Sequence, residues 1–357
     1  MNKNIFIKTS HLYSKVESEK SSVYLMNDAS INIEKGSSIG VVGESGSGKT
    51  QLLLSICGMQ DLYPGVFSGN ISFNLDKEVK VYDYKKTIID FFNEGFSKKS
   101  LHVNKEMKKI KRDVIGFIPQ DPKAYLNPYW KIKQLFNETY RLKKRDIDLD
   151  DFIEKYLKEV DISSADYKNK YPSQLSGGEA QRVMVALILS KEPKFLVADE
   201  STTGLDVTRQ KSVIDLFKSV KKEHPEITMI FISHDFGFLN HVVDSYFIVY
   251  GGFICEHIKD KSFSNLDRQH PYTVDMINRL KGIKKDNIED ELAASANLSQ
   301  ELKNCPYYKQ CDIIKNKDIS FQNRCKNEIP PIIETSNSKQ TNNLLIDWVR
   351  CWDKVDE

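Results

Sequence analysis

The chain has no apolar run long enough to cross a bilayer. Its best stretch, "VMVALILS" at residues 183–190, is far below the eighteen or so residues that a span needs. No export leader is expected either. The N-terminal "MNKNIFIKTSHLY" holds only a three-residue apolar run, too short for the core of a signal peptide. Both absences lead to the expectation of a cytosolic protein, or one held at a membrane by something else. Net charge is small as well: 52 Lys and Arg stand against 50 Asp and Glu, a formal +2. That balance argues neither for nor against a nucleic-acid partner. There is no internal repeat. No two cysteines are spaced as a C-x₂-C pair, so the common zinc folds are not indicated.

What is present fits an ordinary globular protein. At 357 residues, 40% hydrophobic and 29% charged, the chain can bury a full core and has room for a second, smaller domain. Short apolar strands alternate with helical patterns. "SSIGVVGESGSGKTQLLLSICGM" reads as strand, glycine loop and helix. "DVIGFIPQDP", "EPKFLVADE" and "EITMIFISHD" read as buried strands, and "VVDSYFIVYGGFICEHI" as a hairpin. Residues 131–170 carry apolar residues at helical spacing among many charges, a small helical subdomain. Residues 78–112 look like a basic, partly irregular insertion, and the pattern fades after about residue 280. The expected fold class is α/β with a mainly parallel sheet.

Three stretches carry chemistry. Gly43-Glu44-Ser45-Gly46-Ser47-Gly48-Lys49-Thr50 fits G-x-x-x-x-G-K-[ST] between a strand and a helix. Its glycines let backbone N–H groups turn inward around phosphates, with Lys49 on the β- and γ-phosphates and Thr50 on magnesium. The alternative is a glycine-rich turn with no ligand. Asp199 and Glu200 end the strand "FLVA". Ligands gather at the carboxyl ends of parallel strands, so Asp199 suits magnesium and Glu200 an attacking water; the alternative is a solvated acidic loop. "LSGGEAQR", residues 175–182, precedes an apolar helix. Ser176, Gly177 and Gly178 form its N-terminal end, with free N–H groups and no side chain blocking approach. This is either a second anion surface, serving another subunit's nucleotide, or a helix cap with no ligand.

The order of these motifs, with Gln120 after a strand, "STTGLD" after Glu200 and Ser233-His234-Asp235 after another strand, resembles the nucleotide-binding subunits of ABC transporters. "QDPKAYLNP", "ADESTTGLDVTRQ" and "RQHPYT" narrow the likeness to the oligopeptide/dipeptide importer ATPases, of the D type rather than the F type. The resemblance implies a P-loop NTPase of the ABC type, with a helical subdomain at about 121–185 in a domain spanning residues 1–265, and a C-terminal extension over 266–357. It implies ATP and Mg²⁺ as ligands. Gly43, Ser45, Gly46, Ser47, Gly48, Lys49, Thr50 and Gln51 would cradle the nucleotide. Gln120 would contact magnesium beside Thr50 and Asp199, and His234 would hold the γ-phosphate. Asp206 would bridge to the opposite protomer, while Ser176, Gly177 and Gly178 close over the partner's ATP. Tyr13, or alternatively Tyr24, would stack on adenine. The implied partners are an F-type ATPase subunit, two membrane permeases and, indirectly, an extracytoplasmic solute-binding protein, with this chain at the cytoplasmic face and no nucleic acid. Two positions depart from the family pattern: Ser201 stands for a proline and Gly204 for an alanine. Neither supplies a ligand, so an active ATPase is expected.

Four of the six cysteines, Cys305, Cys311, Cys325 and Cys351, fall in the tail. Clustered thiols in a reducing cytosol point to a metal rather than to disulfides. They resemble the cysteine module of the same importer ATPases, which implies a 4Fe-4S cluster, with zinc or free thiols as alternatives. Cys57 and Cys255 read as packed core thiols. A rival function is an ABC-type ATPase acting on nucleic acid or ribosomes. The stretch between residues 50 and 175 is short and has no sustained heptads, and only one cassette is present, which disfavours that rival.

Overall fold

The computed structural model describes residues 4–18, 21–59, 64–75, 78–83, 107–143, 146–199, 207–259, 263, 266, 269–282, 303–334 and 347–355. The chain divides into two units. One takes residues 1–34, 39–104 and 244–357, the other residues 35–38 and 105–243. Among the described residues, no helix is long and apolar enough to cross a membrane.

The first unit opens with β1 (Ile5–Ser18), β2 (Ser21–Ala29) and β3 (Asn32–Glu34), then β4 (Ser38–Val42), helix α1 (Lys49–Ile56), β5 (Pro64–Asn74) and β6 (Val79–Asp83). β2, β1, β5 and β6 lie in that order in an antiparallel sheet, with β3 also on β1. Alternation sends Ile7, Thr9, Ile71 and Phe73 into its buried face, and a register shift between Ser10 and Tyr13 lets Leu12 join them. β6 is the start of the expected insertion. It is an edge strand with Val79 and Val81 exposed, and residues 84–106 lie outside the described residues. All five residues of β4 are buried, as expected of a strand inside a parallel sheet.

The second unit holds β7 (Ile115–Ile118), α2 (Ile132–Lys143), α3 (Leu149–Lys158), α4 (Gly177–Leu189), β8 (Phe195–Asp199), α5 (Val207–Glu223), β9 (Thr228–Ile232) and α6 (Phe236–Val242). β7, β8 and β9 are parallel neighbours, in register at Ile118 with Ala198 and at Asp199 with Ile232. Nine residues of α4 are buried, and the helix packs so near β7 that a Cβ on Gly116 would lie 2.3 Å from Ile188. Rings of Phe217, Phe231 and Phe238 meet edge-on with centroids 4.9–6.4 Å apart, joining α5, β9 and α6. α2 and α3 pair through Phe136 and Phe152, and Asp150 on α3 accepts from Lys133 at 2.6 Å and Lys168 at 2.9 Å.

The chain then returns to the first unit. β10 (Ser245–Tyr250) runs parallel to β4 and forms a hairpin with β11 (Phe253–Ile258). The two-residue turn is Gly251-Gly252, with φ of 56° and 72°, the left-handed pair that a tight hairpin requires. α7 (Pro271–Leu280), α8 (Ile319–Asn327), β12 (Ile333–Glu334) and β13 (Trp348–Val349) complete the described tail. β13 adds to β11, in register at Val349 with Glu256, and β12 adds to β13. Arg350 follows, 5% exposed. Its Nη2 meets Asp28 Oδ2 at 2.5 Å, Nη1 donates to the Asp28 carbonyl at 3.1 Å and Nε to the Pro330 carbonyl at 3.2 Å. The guanidinium also lies 4.3 Å from the Phe253 ring centre. Asp28 adopts φ 50°, a costly conformation for a non-glycine residue, and is held there by Arg350 and by His11 at 2.7 Å.

Candidate functional site

The glycine loop emerges from the carboxyl end of β4. Gly48 caps α1 at φ 99°, with no side-chain cap bond and no acidic residue in the first turn. The positive end of α1 is therefore not neutralised from within, which is what an anion site at a helix end needs. Side chains are excluded on the inner side: a Cβ on Gly43 would lie 2.1 Å from the Val249 carbonyl oxygen, and one on Gly48 2.7 Å from that of Leu25. On the other side a Cβ on Gly46 would meet nothing within 4 Å. The loop is seated on the β10–β11 turn, where the Gly252 N–H donates to the Ser47 carbonyl at 2.7 Å.

Lys49 is 7% exposed and its Nζ donates to the carbonyls of Gly43 (2.8 Å) and Glu44 (2.7 Å). Glu44 is fixed from its other sides. Its N–H donates to the Tyr272 hydroxyl at 3.0 Å, and its carboxylate meets Arg279 Nη1 at 3.0 Å. Both partners lie on α7. Burial pushes the Tyr272 phenol well above its ordinary pKa, so it stays protonated. Thr50 and Gln51, in the first turn of α1, are half-buried, and Ser45 and Gly46 are exposed. Tyr13 sits half-buried on β1 opposite Ser68, and Tyr24 on β2 opposite Lys15.

In the second unit, three predicted residues stand at the carboxyl ends of three adjacent parallel strands. Gln120 follows β7, Asp199 ends β8 and His234 follows β9. Gln120 and His234 are exposed and Asp199 half-buried. Asp235 caps α6 by accepting from Phe238 N–H at 3.0 Å, which fixes the turn bearing His234. Glu200 and Asp206, with Ser201 and Gly204, lie outside the described residues.

The start of α4 differs from the sequence expectation of an unblocked helix end. Ser176 and Glu179 form a reciprocal capping box: the Ser176 N–H donates to Glu179 Oε2 at 2.6 Å, and the Glu179 N–H to Ser176 Oγ at 3.3 Å. Tyr167 also donates to Glu179. The Tyr167 bond, then the cap, holds the Glu179 carboxyl at about 2, so one negative charge of the protein's own lies at this end. Gly177 and Gly178 remain exposed, and a Cβ on either would meet nothing within 4 Å. Arg182, at the end of the same motif, points elsewhere. It donates to the Val160 carbonyl at 2.7 Å and to Ser212 Oγ at 2.9 Å, tying α4 to neighbouring segments.

In the tail, Ile314, Phe321 and Cys325 form a small buried cluster with Tyr308, Cys311 and Trp352 packed on it. Among the described residues no group of three or more His, Cys, Asp or Glu is placed to hold a metal ion, so neither the iron–sulfur cluster nor zinc gains support from that arrangement. The thiols are nonetheless neighbours electrostatically. Burial first, and the charges of the other tail cysteines after it, push Cys305 well above its ordinary pKa, Cys325 to about 11 and Cys351 to about 12. Cys57 and Cys255 are fully buried core thiols, as expected.

A lysine-bearing glycine loop at an uncapped helix end, with polar and acidic residues on parallel strand ends, is the equipment of an ATP-binding cassette, and residues 26–203 match the family described as ABC transporter. The chain is 30% identical to the oligopeptide transport ATP-binding protein OppD of Haemophilus influenzae, over 98% of this chain and 97% of that one. It is 30% identical to OppF of the same organism over 76% of this chain and 77% of the other. A solved dimeric ATP-binding cassette in a post-hydrolysis state, bound to ADP and Pi, shares the fold, with a TM-score of 0.55, 22% identity and coverage of 71% of this chain and 98% of that one. The chain belongs to the ABC transporter family, within its oligopeptide transport ATP-binding proteins.

Proposed function

We propose that the chain is a D-type ATP-hydrolysing subunit powering import of peptides, or related small solutes, at the cytoplasmic face of a membrane. It pairs with an F-type ATPase subunit and docks on two permeases fed by a solute-binding protein. Residues 1–265 serve as the nucleotide-binding domain and 266–357 as its extension. The observation that carries the reading is the end of α1, where Gly48 leaves the helix without a side-chain cap or acidic first turn and Lys49 is buried in the same loop. The likeness to the oligopeptide transport protein OppD is what suggests peptides as the cargo.

In this reading the N–H groups of residues 45–50 and the Lys49 ammonium bind the triphosphate. Thr50, Asp199 and Gln120 would hold Mg²⁺, whose contribution is to offset charge on the phosphate oxygens. Glu200 accepts a proton from water as the water oxygen bonds to the γ-phosphorus and the bond to the β,γ-bridging oxygen breaks, and His234 steadies the γ-phosphate. Tyr13 takes the adenine, and Asp206 bridges to the partner. Ser176, Gly177 and Gly178 close over the partner's nucleotide. Support for that last role is that neither glycine is demanded by the helix it begins, since both could carry a methyl without a clash. The capping role of Ser176 is compatible with it, because a hydroxyl that accepts from Glu179 still has its own proton to donate.

The tail is proposed to hold a 4Fe-4S cluster on Cys305, Cys311, Cys325 and Cys351. What supports this is the number of tail thiols, which matches the usual ligand set, and their resemblance to the cysteine module of the importer ATPases. The hydrolysis assignment is tested by Glu200→Gln. It should bind MgATP with near-normal affinity and lose about 10²- to 10⁴-fold in turnover; turnover near the wild-type rate contradicts the assignment.

A further inference from the structure

The phosphate loop has a support that none of its own motif residues supplies. Glu44 is the point on which it acts. The Glu44 carbonyl accepts from Lys49 Nζ at 2.7 Å and from the Ser47 N–H at 3.2 Å, so this residue helps aim both the ammonium and the turn. Its N–H is held by the hydroxyl of Tyr272, 228 positions further along the chain. Tyr272 is 1% exposed, and its ring lies 4.7 Å from that of Tyr250 and 5.5 Å from that of Tyr307, centre to centre. The hydroxyl therefore cannot swing aside without dislodging three buried rings. Tyr307 in turn donates to Asp275, one turn further along α7, so the helix is itself anchored.

The loop needs such an anchor. Gly46 and Gly48 both sit at positive φ, and glycine gives up more backbone freedom on ordering than any other residue. If that freedom is lost only when a nucleotide arrives, the ordering cost is subtracted from affinity. We infer that Tyr272 is a positioning residue for the nucleotide: its hydroxyl orders the phosphate loop in advance by holding Glu44, without touching the ligand. Arg279 assists at the Glu44 carboxylate, but that pair is partly open to solvent and contributes little. The inference rests on the proposed reading of residues 43–50 as the ATP cradle.

The experiment is a titration of the full-length chain with a fluorescent ATP analogue and Mg²⁺, with melting temperatures of the nucleotide-free proteins measured alongside. Tyr272→Phe keeps the ring and deletes the hydroxyl. It should weaken binding about 3- to 10-fold, the value of one buried hydrogen bond, with a melting temperature lowered by only the few degrees that one lost hydrogen bond costs, as in the Tyr250→Phe control. In the assembled transporter the same variant should raise KM for ATP by that factor and leave kcat within about twofold. Tyr250→Phe is the matched control. It deletes a hydroxyl from the same ring cluster, one bonded to Gln310 in the tail at 2.7 Å, and should bind nucleotide as the wild type does. Wild-type affinity in Tyr272→Phe overturns the inference. So does an equal loss in Tyr250→Phe, which assigns the effect to packing of the cluster. Lys49→Ala separates the two levels: loss of binding there with none in Tyr272→Phe overturns this inference alone, whereas retained binding in Lys49→Ala removes the cradle reading and this inference with it.

Discussion

Glu256 makes the stability of the first unit depend on pH in a direction opposite to that of an ordinary carboxylate. It lies on β11, 3% exposed, and its Oε2 accepts from the Thr273 hydroxyl at 2.6 Å and the His270 N–H at 3.1 Å. Burial pushes its pKa from 4.5 up to about 8. The Thr273 and His270 bonds oppose the rise, Asp347 adds to it and Lys354 subtracts. The folded chain therefore binds a proton that the unfolded chain lacks between pH 4.5 and 8. The stability from this group is fully present below about 4.5, falls as pH rises, and stops falling above about 8. At 1.36 kcal/mol per pKa unit, the loss between pH 5 and 7.5 is about 3 kcal/mol. Glu256→Gln is neutral at every pH and keeps an acceptor oxygen for both donors. Any cost of its extra amide hydrogen is a constant offset, and only the slope carries the test. Denaturant melts of both proteins at several values between pH 5 and 7.5 should show the variant gaining about 3 kcal/mol on the wild type across that range. Parallel curves would refute the buried, protonated Glu256.

Two further outcomes are expected. Arg350→Met leaves Asp28 buried beside a lost cation and should cost about 3–5 kcal/mol in a urea melt, with Asp28→Asn in the same chain recovering part of it; a cost below about 1 kcal/mol would mean that the pair does not fasten the tail. Full-length protein purified without oxygen should be brown and carry about four irons per chain, and Cys305→Ala should lose both; a colourless, iron-free wild type overturns the cluster proposal.

What could be read from the sequence was what is encoded locally. The strand–loop–helix around Lys49, the three strands bringing Gln120, Asp199 and His234 to their ends, and the Gly-Gly hairpin each follow from a few neighbouring residues. The start of α4 was legible too, but two local rules compete there. Glycines at a helix end suggest an anion site, while Ser176 three residues before Glu179 is the capping-box spacing, and the box forms. "RQHPYT" was recognisable only as a family string. That its tyrosine reaches the Glu44 N–H, or that Arg350 reaches Asp28, has no trace in spacing, because each pair is more than 200 residues apart and is brought together only by the sheet. The tail thiols were countable, but their distances depend on packing that no spacing rule fixes.

The salt bridge between Asp28 and Arg350 spans 322 positions, and every residue of the second unit lies between them in the sequence. During synthesis the opening hairpin therefore waits, its aspartate without its partner, until Arg350 has been made 322 positions later. A surface begun by the first hairpin is thus finished only by a residue made much later, and a chain lacking Arg350 would leave the Asp28 turn without its clasp.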